Sequence, residues 1–122
     1  MAAPARRRAF EAGIAAYANG DFFLAHELLE PAWMGTRDLA ERELIQGLIK
    51  LAAAFVHAAR GNPAGIGKNL RGAIAHLVEG LAAGEQLGVD MPALVAAISD
   101  RLGQEPGVGD PSIPIPRTGT SG

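Results

Sequence analysis

Apolar residues recur along this chain at helical rather than strand spacing. Phe10, Ile14 and Tyr17 fall at i, i+4 and i+7 and predict one buried stripe on a first helix over roughly residues 4–18. Asn19-Gly20 ends that helix, since glycine takes the positive φ of a helix C-cap without strain. Asp21 then predicts the N-cap of a second helix over roughly residues 22–34, and Gly35 stops it. Asp38 followed by Glu41 has the form of a capping box and opens the longest apolar run, which closes near Arg60-Gly61. Within that run Leu44, Leu48, Leu51 and Phe55 have Ile45, Ile49, Ala52 and Val56 beside them. More than about a third of the circumference is therefore apolar, which predicts a central helix. Asn62-Pro63 restarts the chain, with Pro63 at the first helical position where its missing N–H costs nothing. Ile66, Leu70, Ile74, Leu77 and Leu81 then form a heptad-like stripe, and a last short helix after Asp90 turns Leu94, Val95, Ile98 and Leu102 inward.

No segment alternates apolar and polar residues as a half-buried strand does, and β-branched residues are sparse. The expected fold is a compact all-α array of about five helices, the third central, over residues 1–102. Residues 103–122 are too rich in Gly and Pro for regular structure and are expected to be extended or disordered. Ile113 and Ile115 alternate with prolines there and can dock on the helices, but truncation of this tail is expected to leave cooperative unfolding intact.

Composition narrows the function classes. With 122 residues, 48% of them hydrophobic and 20% charged, the chain has room for one core and the balance of a folded globular domain. Its formal net charge of −2 lacks the basic excess of nucleic-acid or anionic-membrane binding, and Arg6, Arg7 and Arg8 are its one basic cluster. The absence of cysteine excludes disulfides, thiolate metal sites and cysteine nucleophiles. No apolar stretch reaches about 18 residues, and none follows the arginine run, so a cytoplasmic protein without a membrane span is expected. Gly61, Gly65, Gly67 and Gly72 lack the lysine and spacing of a phosphate loop. Oligomeric state is left open.

The informative residues are polar ones on apolar faces. With His26 at zero on a wheel of about 100° per residue, Phe22, Leu29 and Trp33 fall within about 60° on one side, and Glu30 about 40° to the other. His26 and Glu30 are therefore expected to be buried and in contact, so that Glu30→Ala costs roughly 1–3 kcal/mol. On the third helix Arg42, Gln46, Lys50 and His57 lie within about 40° of one line, with Ala53 the small gap between them. If that stripe faces the second helix, Arg42 or Gln46 reaches Glu30, and His57 approaches one end of the groove. Trp33 reads as core packing and His76 as a surface pair with Glu79.

Residues His26 to Trp33 spell HxxxExxW. Here the chain resembles a bacterial and archaeal family of small helical proteins, domain of unknown function 309. The resemblance continues upstream at Gly20-Asp21-Phe22-Phe23 and downstream through Glu41-Arg42, Leu44 to Ala54, His57, Arg60-Gly61-Asn62, Gly65 and Leu70, covering about residues 10–85. It implies an all-helical domain without an established activity and connects the motif with metal binding, so His26, Glu30 and Trp33 carry over directly. Pro31 and Met34 depart from the family pattern. Pro31 removes the helix hydrogen bond to the Glu27 carbonyl, a reason to expect a kink at the motif itself.

His26 with Glu30 admits three readings: a hydrogen-bonded structural pair, a metal site completed by His57, Glu43 or Glu27, or a metal-free binding or acid–base site. The first function expected is a small non-enzymatic helical module that binds a small ligand or protein partner through a pocket of His26, Glu30, Trp33, Arg42, Gln46 and His57. The alternative is a metal-dependent, hydrolase-like enzyme in which His26 and Glu30 hold a divalent ion and a bound water attacks the substrate. No resident cofactor is expected, because Arg42 and Lys50 repel a cation and Gln46 is a weak ligand. The zincin HExxH is not met either, Glu30 standing in place of its second histidine.

Overall fold

The structure, a computed structural model, describes residues 3–105, 107 and 109–119. Helix α1 spans Ala3–Ala18 and turns at Gly20, whose φ is +81°. Four N-caps then set the frame, each side chain accepting a backbone N–H three residues on: Asp21 from Leu24, Asp38 from Glu41, Asn62 from Gly65 and Asp90 from Ala93. Each satisfies a donor that the first helical turn leaves orphaned, worth about 1 kcal/mol. They open α2 (Phe22–Gly35), α3 (Leu39–Ala59) and α4 (Pro63–Glu79). A 3₁₀ turn at Leu81–Ala83 and the one-turn helix α5 (Gly84–Leu87) lead to the last of the capped helices, α6 (Met91–Leu102). The fold is all-α: six α-helices form among the described residues, and the extended contacts there amount to one antiparallel bridge between Val89 and Arg117. Helix α5 escaped the sequence reading because four residues carry no periodic stripe.

Helix α3 lies between α2 and α4, α1 packs on α2, and α6 packs on α4. Leu44, Leu48 and Leu51 of α3 are fully buried. Close helix contact comes from small residues at the crossings. A Cβ on Gly13 would stand 2.6 Å from Leu29 Cγ, and one on Gly47 would stand 2.6 Å from Leu77 Cγ, so α1 meets α2 and α3 meets α4 nearly backbone to side chain. Tyr17, Phe22 and Phe55 form an aromatic cluster at the other end, with ring centroids 5.1 Å apart for Tyr17–Phe22 and 5.5 Å for Phe22–Phe55.

The described residues beyond α6 are largely extended and pack on the helices at Ile113, which corrects the expectation that this segment adds little to the core; residues 106, 108 and 120–122 of that expectation lie outside the described residues. Ile113 is only 2% exposed and belongs to the core cluster. The Tyr17 hydroxyl donates to the Ile113 carbonyl, and burial pushes the Tyr17 phenol far above its usual range, with Arg101 opposing the shift, so the ring stays a neutral donor. Further along, Asp90 N–H donates to Pro116 O at 2.9 Å and Thr118 N–H to Gly88 O at 3.0 Å. Arg117 donates to Gly88 O at 2.7 Å, Leu87 O at 3.1 Å and Glu11 at 2.9 Å, with its guanidinium 5.8 Å from the Phe10 ring centroid. The prolines explain the order: Ile113 and Ile115 each precede a proline, which holds both in extended backbone and spaces their side chains two residues apart.

Candidate functional site

The apolar line of α2 runs through Ala25, Leu29 and Ala32, all at most 1% exposed. That line lies about 90° round the helix from His26, not at Phe22 and Trp33 where the large side chains pointed. Two alanines let α1 and α3 approach α2 closely, and close approach decides which face is buried. His26 is consequently half-buried at the edge of the line, and Glu30 is exposed. The expected buried, touching pair is therefore corrected: among the described residues neither side chain hydrogen-bonds the other. Glu30→Ala is now expected to leave the unfolding free energy within about 0.5 kcal/mol of the parent chain, a value that chemical denaturation reads directly.

Pro31 is exposed and α2 runs unbroken through it, so HxxxExxW keeps its helical spacing. That spacing turns His26, Glu30 and Trp33 toward α3. Together with Gln46, Ile49, Lys50 and Ala53 they line a cavity of about 250 Å³. A second hollow of about 170 Å³ continues it, lined by Phe23, His26, Ala53, Val56, His57 and Arg60. His26 and Ala53 border both, which makes one groove along the α2–α3 seam. The polar stripe of α3 thus meets α2. Lys50, Arg60 and Phe23 stand among the lining residues although the candidate set omitted them. Continuing the α3 stripe three residues past His57 reaches Arg60, and stepping back three from His26 reaches Phe23.

The stripe does not neutralise Glu30. Arg42 instead donates to the carbonyls of Trp33 at 3.2 Å and Thr36 at 3.4 Å, and its guanidinium lies 4.7 Å over the Trp33 ring. A cation there satisfies the end of α2, where carbonyls lack helical partners and the dipole is negative. Trp33 is accordingly half-buried, stacked under Arg42 at one end of the groove. At the other end Asn62, whose Oδ1 caps Gly65, presents Nδ2 to His57 Nδ1 at 3.0 Å. An amide nitrogen only donates, so His57 Nδ1 accepts and the ring proton sits on Nε2. His76 pairs with Glu43 of α3 at 2.6 Å rather than with Glu79, because α4 crosses α3 there.

The donor set does not fit a resident metal. Glu43 is engaged with His76, His57 Nδ1 is engaged with Asn62, and Lys50 brings a positive charge to the same cavity as His26 and Glu30. Among the described residues no three His, Asp or Glu side chains gather as a metal-holding group. No described helix is long and apolar enough to cross a membrane.

What the cavity does offer is unused hydrogen-bonding capacity. Among the described residues the side chains of His26, Glu30, Gln46 and Lys50 form no hydrogen bond or ion pair with one another or with any other group. No curated protein and no solved structure matches the chain. The family described as domain of unknown function (DUF309) does match, over residues 10–69, a span that runs from the first buried aromatic of α1 into α4 and holds every residue of the groove. Through that span the chain belongs to the domain of unknown function 309 family.

Proposed function

We propose that this chain is a non-enzymatic helical module that binds a small polar ligand in the groove between α2 and α3. One observation carries the reading: four polar side chains converge on a cavity of about 250 Å³ with no intramolecular partner among the described residues. These groups are exposed or half-buried and open to water, and polar side chains gathered around a concavity can exchange that water for the groups of a ligand, which supports a binding role. The net charge of −2 favours a small molecule over a nucleic acid. The metal-dependent hydrolase has no comparable support, since among the described residues no third His, Asp or Glu gathers with His26 and Glu30.

Two measurements test the reading. Amide chemical shifts followed during titration with a library of small polar fragments are expected to move at residues 26–33 and 46–60, and His26→Ala is expected to suppress the movement. Elemental analysis of protein purified without chelator or added metal is expected to give well under one equivalent of zinc, iron, nickel or manganese. Fragments that bind only elsewhere overturn the proposal, as does stoichiometric metal that is lost on replacing His26.

A further inference from the structure

Within that reading, which this inference rests on, we propose that the groove selects a small zwitterion of the amino-acid type: one ammonium and one carboxylate on a short, uncharged carbon skeleton. Glu30 comes from α2 and Lys50 from α3, and both line the same cavity. Among the described residues no ion pair within 4.0 Å joins them. The Lys50 stem runs past α4, where a Cβ on Gly72 would stand 3.5 Å from Lys50 Cδ and 3.9 Å from Cε. The lysine thus packs its stem on α4, whereas Glu30 is an exposed residue of α2.

The charge pattern decides the ligand. A simple carboxylate gains Lys50 but meets the repulsion of Glu30, and a simple amine gains Glu30 but meets Lys50. A molecule with both charges satisfies both walls. His26 and Gln46 each offer a donor and an acceptor, so they bond either end without choosing its sign. Buried Ile49 with Ala53 forms an apolar floor beneath them. The part of the groove that Glu30 and Lys50 line is about 250 Å³, enough for the two charged groups, and the adjoining hollow of about 170 Å³ offers room for a short side chain.

The test titrates the whole chain with each of the protein amino acids, followed by amide chemical shifts. The tightest binder is then compared with its amide, which lacks the carboxylate, and with its deaminated acid. At least one amino acid is expected to bind at the groove, about tenfold or more tightly than either analogue, since each analogue loses a charge-assisted contact. Glu30→Gln is expected to erase the advantage over the deaminated acid alone, and Lys50→Met the advantage over the amide alone. Both positions lie outside the core, and circular dichroism confirms that each variant is folded. Groove binding by single-charge fragments, with no amino acid preferred, overturns the zwitterion and leaves the binding module standing. Absence of any amino-acid shift at the groove overturns the zwitterion, and absence of groove shifts with the fragment library as well overturns both.

Discussion

Replacing Ile113 with alanine is expected to lower the free energy of unfolding by about 2–5 kcal/mol, the cost of removing a large aliphatic side chain from a packed core. The residue is 2% exposed and lies in the same cluster as Phe10, Tyr17 and Leu94. Truncation after Gly103 is expected to cost more. It also removes the Ile113 carbonyl that accepts from Tyr17, the Pro116 carbonyl that accepts from Asp90 N–H, and the Arg117 contacts to Gly88 and Glu11. Tyr17 then keeps a buried hydroxyl without an acceptor, which adds its own penalty of about 1–3 kcal/mol. Urea denaturation followed by circular dichroism measures both variants. A truncated chain with the parent's midpoint shows that the segment after α6 contributes nothing.

Gly80→Ala is the second substitution with a large expected effect, a loss of about 3 kcal/mol. The glycine ends α4 against the start of α3, and a Cβ there would stand 2.8 Å from Leu44 Cα and 2.9 Å from the Ala40 carbonyl oxygen. Both are backbone atoms, so no rotamer change relieves the overlap and the helices must separate. Gly72→Ala is the control. Its nearest neighbour is Lys50 Cδ at 3.5 Å, an ordinary contact, and an alanine within α4 gains about 0.5–1 kcal/mol in helix propensity. Thermal melting of the pair is expected to move in opposite directions for Gly80 and Gly72, and equal shifts would refute the contact argument.

The sequence makes the helices legible because their stop and start signals are local. Asp21, Asp38, Asn62 and Asp90 each sit three residues before the amide they cap, and periodicity does the rest. The groove was legible in its α3 half, since Arg42, Gln46, Lys50 and His57 define a face by spacing alone. What sequence did not reveal is depth. The large side chains Phe22 and Trp33 drew the buried face of α2 toward His26, whereas the alanines at 25 and 32 set it, because small residues decide how near two helices come. Partners distant in sequence were equally hidden. Nothing in the neighbourhood of His76 points to Glu43, 33 residues earlier, and nothing in a stretch of Gly and Pro announces that Ile113 completes the core.

The segment that ties Tyr17 to Ile113 and Glu11 to Arg117 closes loops across 96 and 106 residues. Contacts so far apart along the chain cost more closure entropy than the nearer pairings of α1 with α2 and of α3 with α4, and are expected to form after them. On that order, substitutions at Ile113 or Arg117 are expected to leave the rate of folding almost unchanged and to hasten unfolding, which stopped-flow folding and unfolding rates check. A segment that docks last would govern how long the native state persists, and with it the time for which the groove keeps its shape.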